Sequence, residues 1–478
     1  MSSVHAAFRS RFSLVALALF ALSGCASVNL EQSLTRTNEE AASFTGGRLA
    51  LAATPEDRVA HGKTASELLA QPLGQQEAVQ LGLANSPALQ ALLAQHAADT
   101  ARAAQAGRLP NPIFSFEHLR NGDTLELGRM ISIGLLDLLT LPLRRELAEH
   151  QVEQARLRLT SDVVDQVTQV RQAWVRAVAA QQSLQYAGQV YESAEASAEL
   201  ARRMQEVGNF SKLQRARQQA FYADAATQLA AARYAATTAR EELVRQLGLT
   251  EAQVQDLKLP ERLPDLPKQP LQPAEVSQAA SRRRLDVRLA QAEFDAAARA
   301  RGLTRVTSVT GIELGVIRNT TFDSAAGSRT TGRGYEIALS LPLFDWGDLQ
   351  RDAANGQVLA SAQRLEATLR MAGSSVRDSY SAYRTTYDIA RHQRDEVVPL
   401  RKTISDENLL RYNGMLIGVF DLLADARDQV GAVMAAIAAE QQFWLADAAL
   451  QAVLIGRPTA SAVATTASAT GGSADAAQ

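Results

Sequence analysis

Along most of the chain, apolar residues recur three and four positions apart. From about residue 143 the pattern runs without Pro or Gly to Gly188 and resumes to Gly208, and Leu159, Val163, Val167, Val170, Trp174 and Val178 keep the spacing of a packed helical seam. Ala, Gln, Leu and Arg, all good helix formers, fill the positions between. A single helix over 143–207 would be roughly 95 Å long at 1.5 Å per residue. A second segment, from about 349 to 412, is of similar length, with Gly356, Gly373 and Pro399 as the places where it would bend.

Four short stretches break this rule. In "RGYEIALSLPLFDWG", residues 333–347, Tyr335, Ile337, Leu339, Leu341 and Leu343 fall on one side of a period of two, and Gly334, Glu336, Ala338, Ser340 and Pro342 fall on the other. Residues 113–118 alternate weakly. Residues 125–135 alternate well, with Leu125, Leu127, Ile131, Ile133 and Leu135 on one face and Arg129 as the exception. Residues 309–318 put Ile312, Leu314 and Val316 together, and a Gly/Ser/Thr-rich loop, "NTTFDSAAGSRTTGRG", is expected to follow. Each stretch is about ten residues, the length a tilted strand needs to cross a bilayer.

The order of these elements repeats. "ANSPALQALLAQHAADTARAAQAGRLPNPIFSF" from Ala84 runs parallel to "SRRRLDVRLAQAEFDAAARARGLTRVTSVTGIEL" from Ser281; "ISIGLLD" matches "LSLPLFD", "VRQAW" ending at Trp174 matches "VRDSY" ending at Tyr380, and "QEVGNF" matches "RYNGML". Each half therefore reads helix, strand, strand, long helix, turn, long helix, the product of an internal duplication. "LPERLPDLPKQPLQP", with five prolines, is read as an extended linker between the halves.

The ends differ from the body. Arg9 and Arg11 precede the apolar run "FSLVALALFAL", and "LSGC" ends at Cys25, the only cysteine in the chain, so no internal disulfide forms. Leu22, Ser23, Gly24 and Cys25 resemble a bacterial lipoprotein signal, which implies acylation of Cys25, as with palmitate, and with Ala26 rather than Asp next, sorting to the outer membrane. About fifty residues follow without a sustained period and are read as an extended arm. The Ala/Ser/Thr/Gly tail from Pro458 is expected to be disordered. The expected organisation is a signal peptide over 1–24, an arm over 25–74, repeats over 75–258 and 274–457 flanking the linker over 259–273, and a tail over 458–478.

Composition narrows the functions. Of 478 residues only 5% are aromatic, which suits long helices packed closely, and a net charge of −2 provides no basic field for nucleic acid. The six histidines show no metal-ligand spacing, and there is no phosphate loop, nucleophile elbow or zinc-protease helix, so neither an enzyme nor a cofactor is expected. No apolar run of 18 residues follows the leader, which excludes transmembrane helices. A closed barrel is the other spanning structure, and four strands cannot close one, so several chains would have to pool theirs.

A lipoprotein-type leader, two related halves, one strand pair per half and two very long helices per half resemble the TolC family of outer-membrane efflux channels over residues 75–456. The most specific pieces are "LPLFDWGDLQRDAANG", similar to the family's strand-to-helix junction with Pro342, Phe344 and Gly347, and the tips "EVGNFSKLQRARQQ" and "YNGMLIGVFDLLADARDQ". The resemblance implies a mainly α fold with a small β part: long antiparallel helices forming a tunnel, and four strands per chain completing a twelve-stranded barrel in a homotrimer. It implies an outer-membrane location, contact with outer-membrane lipid, a periplasmic adaptor (membrane fusion protein) docking near the tips at Val207, Gly208, Gly414 and Val419, and an inner-membrane pump of the RND type. Gly208 and Gly414 are expected to break the helices as C-cap glycines.

In the family's pattern Asp421 falls on an aperture aspartate. The second such position holds Ala424, with Asp425 beside it, and i,i+4 spacing puts Asp421 and Asp425 on one helix face. Repeated in a trimer they would form an acidic ring that favours cations, and Arg427 would pair with a neighbouring acid. The competing reading is a lipid-anchored, soluble periplasmic coiled-coil scaffold or adaptor with the strands folded into a small β domain.

Overall fold

The computed structural model describes residues 30–281, 284–308 and 311–457. The leader, Cys25 and the tail over 458–478 lie outside the described residues. In chain order the helices and strands are α1 (Leu30–Thr45), α2 (Pro55–Leu69), α3 (Gln75–Asn85), α4 (Pro87–Ala106), β1 (Ile113–Asn121), β2 (Thr124–Gly134), a short α5 (Leu135–Leu139), α6 (Leu141–Glu206) and α7 (Lys212–Leu247). The second half continues with α8 (Glu251–Asp256), α9 (Pro273–Ser281), α10 (Leu285–Thr307), β3 (Ile312–Asp323), β4 (Ser328–Leu339), α11 (Asp348–His392), a π-turn (Gln393–Val397), α12 (Val398–Asn413) and α13 (Val419–Ile455). Both halves thus run helix, strand, strand, long helix, turn, long helix, as the repeat predicts.

The chain divides into two compact units. One gathers the chain up to Arg36, Gln95–Arg156 and Ala292–Ser361; the other gathers Thr37–Ala94, Leu157–Gln291 and the chain from Ala362. The first unit contains the sheet. Its strands lie in the order β1-β2-β3-β4, all antiparallel, so β2 and β3 join the two hairpins into one surface. The predicted Gly/Ser/Thr loop is shorter than expected, because its Thr-rich ends pair as strand and leave only residues 324–327 as the turn. The β-branched threonines there favour the pleat over a loop.

The second unit is helical and records the duplication in matching hydrogen bonds. Trp174 donates its indole N–H to the Leu73 carbonyl at 2.7 Å, just before α3. Tyr380, its counterpart, donates to the Leu271 carbonyl at 3.1 Å, just before α9. The proline-rich linker is extended as expected and is strapped down: Tyr387 donates to the Pro267 carbonyl at 2.9 Å and Trp444 to the Pro264 carbonyl at 3.1 Å. Leu266 of the linker is buried in a cluster with Tyr383, Tyr387, Phe443 and Leu450. Each buried ring adds apolar area and each strap satisfies a linker carbonyl that has no helical partner.

Of three further expectations, two need correction. The segment after Cys25 is not an extended arm but carries two helices, Leu30–Thr45 and Pro55–Leu69, joined by a non-helical stretch: Pro55 occupies the first turn of α2, and Thr54 and Asp57 close a capping box ahead of it. The single helix read over 143–207 is present: α6 passes through Gly188 without a break and is 66 residues long. In the second half α11 runs unbroken through Gly356 and Gly373, and the α-helix is interrupted instead by a π-turn over Gln393–Val397, just ahead of Pro399. Proline has no N–H to give and its ring crowds the carbonyl four residues back, so one wider turn absorbs the fault.

Arg171 ties the arm to the bundle. Its guanidinium lies over the Phe44 ring at 4.4 Å and donates to the Phe44 carbonyl at 2.5 Å and to Gln451 at 2.8 Å. Gln451 in turn donates to Asp447 at 2.6 Å. Burial pushes the Asp447 carboxyl up to about 6, outweighing the nearby Arg171 charge and the Gln451 hydrogen bond. The folded protein therefore holds a proton that the unfolded chain has released, and stability declines as pH rises from about 4 through about 6. Thermal unfolding across that interval should show this decline, and Asp447→Asn should flatten the slope relative to wild type.

Candidate functional site

The sheet register sorts every strand residue onto one of two faces. Phe114, Ile131, Val316 and Tyr335 form one row across all four strands, and Ile133, Leu314 and Ile337 form the next across three. Most of these side chains are exposed, Phe114 by 63%, Val316 by 66%, Tyr335 by 78% and Ile337 by 60%, while Ile133 is half-buried. The opposite face has Ser115, Gly128, Ser132, Gly315, Gly332 and Gly334 among its members. Among the described residues the apolar face is thus largely uncovered, and the other face is mostly small and polar, with Ile113, Leu119, Met130 and Ile317 as its larger apolar members.

The sheet also has two bare edges. β1 pairs only with β2 and β4 only with β3, and all residues of both outer strands are exposed. A long edge of unpaired N–H and C=O groups is a template for another strand. Beyond β4 the chain leaves strand geometry at Ser340. Pro342 has no N–H to extend the ladder, Leu343 and Phe344 are exposed by 69% and 99%, and Gly347 turns with φ of +69°. A Cβ at Gly347 would lie 2.3 Å from the Ser308 carbonyl oxygen, so glycine is required where α11 begins.

In the helical unit the two hairpin tips are built differently. At the first, Gly208 takes the left-handed conformation with φ of +77° and Ser211 caps α7 with Gln214. At the second, Gly414 is not left-handed (φ −80°), and the turn passes through Met415 at φ +59°. Both glycines thus stand where their helices end, as expected, Gly414 as the C-cap of α12, but only Gly208 takes the left-handed conformation. Val207, Leu213, Met415 and Leu416 are all exposed, by 60% or more.

The family model for outer membrane efflux proteins matches residues 276–456. That match lies within the second half of the chain. No curated protein matches the chain. Among solved structures, the open state of the MtrE outer membrane channel of Neisseria gonorrhoeae superimposes with a TM-score of 0.65 at 19% identity, over 80% of this chain and 90% of that one. The CmeC outer membrane channel of Campylobacter jejuni gives 0.64 at 14% identity over 83% and 86%, and the outer membrane protein VceC of Vibrio cholerae gives 0.65 at 14% over 82% and 96%. The fold is that of these TolC-like channels: mainly α, with the small sheet described above.

The residues expected at an aperture lie at the start of α13. Asp421 is exposed and accepts from the Gly418 N–H at 3.2 Å, closing the first turn of that helix, which Val419 opens. Asp425 is buried, at 7% exposure, and one of its carboxylate oxygens has no hydrogen-bond partner. The four-residue spacing therefore does not give the pair a common open face in this chain. Arg427 lies over the Phe221 ring at 4.9 Å, a cation–π contact from α13 to α7 in place of the expected ion pair. Beside it, Tyr191 and Tyr222 share a hydroxyl hydrogen bond of 2.9 Å joining α6 to α7. Sequence reasoning missed both contacts, because nothing in the local pattern of α7 marks Phe221 and Tyr222 as inter-helix partners.

The contrast between the turns is measurable. Gly208→Ala should cost about 1–2 kcal/mol, the left-handed penalty for an L residue. Met415→Gly should be close to neutral, since relief of the same penalty is offset by the larger backbone entropy of glycine in the unfolded chain. Limited proteolysis at the two turns and thermal unfolding would read the difference.

Proposed function

We propose that this chain is the outer-membrane channel of a tripartite efflux system, passively conducting solutes that an inner-membrane pump delivers through a periplasmic adaptor. The observation that carries the reading is the sheet: four strands with a largely uncovered apolar face and two unpaired edges. In hydrocarbon every backbone group must be paired, which open edges forbid. Three copies supply twelve strands and pair each β4 edge with a neighbour's β1, so the apolar faces meet lipid and the small polar faces line the lumen. Acylation at Cys25 would add a second attachment to the outer membrane.

The exposed apolar tips at Val207, Leu213, Met415 and Leu416 supply a surface for the adaptor. Asp421, exposed beside the second tip, is the residue we assign to a cation-attracting ring at the periplasmic aperture, repeated once per copy. Asp425 has no part in that ring in this conformation. The pump is read as RND type from family resemblance.

The detergent-extracted protein should have the mass of a trimer and give discrete, cation-preferring channels in a planar bilayer, with Asp421→Asn weakening the preference. A monomer that leaves the bilayer silent would instead favour the tethered scaffold.

A further inference from the structure

The charges on the sheet are fully segregated by face. Arg120, Arg129, Arg318, Arg329 and Arg333 all share the apolar face, which holds no Asp or Glu at any strand position. Glu117, Glu126, Glu313, Asp323 and Glu336 all share the opposite face, which holds no Lys or Arg. Three of the arginines form one row: Arg129 is directly opposite Arg318, and Arg318 directly opposite Arg333. Arg318 and Arg333 are exposed and Arg129 is half-buried.

Like charges set directly opposite across strands repel. With strands about 4.8 Å apart, the three guanidinium stems start within roughly 10 Å of one another. No carboxylate on that face relieves them, since the acids of the same strands point through the sheet to the other side. The row also marks a border. From it toward the helix ends of the strands, each further position on the face is apolar, Val316 and Tyr335 being adjacent to it and Leu314 and Ile337 next. Toward the hairpin turns the face becomes mixed, with His118, Thr320 and Thr331.

An arginine on the lipid face is strongly unfavourable at the bilayer midplane and nearly neutral at the interface. Three in register at the end of an apolar band thus belong at headgroup level, on the side of the hairpin turns. What that level offers and the protein face lacks is negative charge. Guanidinium groups bind phosphate oxygens in pairs of parallel hydrogen bonds, and a shared phosphate turns the repulsion of the row into a chelate.

We infer that Arg129, Arg318 and Arg333 form, on the outer face of each copy's sheet, a binding site for the phosphate of a membrane lipid headgroup. This rests on the barrel reading above. The site would fix lipid at the side of the turns and hold the sheet at a set depth, the two arginines nearer the turns, Arg120 and Arg329, adding a second cationic level.

The test uses the full-length protein in phosphatidylcholine nanodiscs containing a small fraction of phosphatidic acid, with retained lipid counted by native mass spectrometry. Wild type should retain phosphatidic acid at least about tenfold over the triple variant R129Q/R318Q/R333Q, with the preference weakening in high salt. Millimolar inorganic phosphate should not displace it. Equal retention by wild type and variant would overturn the site, and displacement by inorganic phosphate at lipid-like concentrations would overturn the lipid as its occupant. Should the triple variant fail to assemble, R318Q alone, at an exposed position, carries the same comparison. Bilayer conductance separates the two readings: conducting trimers without lipid discrimination remove only this inference, whereas a protein that neither trimerises nor conducts removes the barrel itself.

Discussion

The backbone groups along the outer sides of β1 and β4 impose the constraint on which the rest of the chain depends. Among the described residues they pair with no further strand, and a chain with a largely uncovered apolar sheet face can satisfy them in lipid only by closing the sheet with further copies. A soluble β domain would resolve the same edges differently, by covering the apolar face with a helix or by placing charges and bulges along its rim. Here β4 is exposed along all 12 of its residues, with no bulge in its register against β3. On the barrel reading proposed above, assembly is built into the strands, and the duplication contributes one hairpin per half, joined edge to edge through β2 and β3.

The helical unit solves a separate problem, holding long helices in register without a thick core. Their packing uses small residues, and large side chains are concentrated at a few junctions. Trp174 and Tyr380 show the principle, since equivalent positions in the two repeats reach the backbone that leads into each repeat. A ring that is buried and also hydrogen-bonded to a carbonyl specifies one rotational setting of its helix, which apolar contact alone does less sharply. Near the tips this anchoring gives way to Arg427 over Phe221 and to the Tyr191–Tyr222 pair, contacts in which a side chain meets a side chain.

How much of this was legible in the sequence depended on the range of the interaction. The period of two around Tyr335 and Ile337, and the period of three and four around Val163 and Val167, are local and predicted their elements correctly. The duplication was legible because order and spacing survive even where residue identity does not, as with Trp174 and Tyr380. The boundaries were less so: Asn319, Thr320 and Thr321, which looked like loop, gain their strand character from their partners, Thr320 facing both Leu127 and Thr331. The helix α2 was missed although its capping box at Thr54 and Asp57 is fully local, because the apolar period that follows the cap is weak.

The candidate site was harder to read, for a physical reason. Spacing four residues apart places Asp421 and Asp425 near each other on a helix, but which side of that helix is open is decided by elements distant in sequence, and Asp425 is buried. The same limit applied at Gly414, where the glycine stands at the expected place but Met415 makes the left-handed turn. In the sheet, by contrast, register converts sequence directly into a face. Arg129 taken alone is an exception in an apolar row; only pairing with Arg318 and Arg333 makes it part of a pattern. An interruption of an amphipathic period is therefore best judged after its cross-strand partners are known, since a lone charge on a lipid-facing row is a cost while a registered set of them defines a level in the membrane.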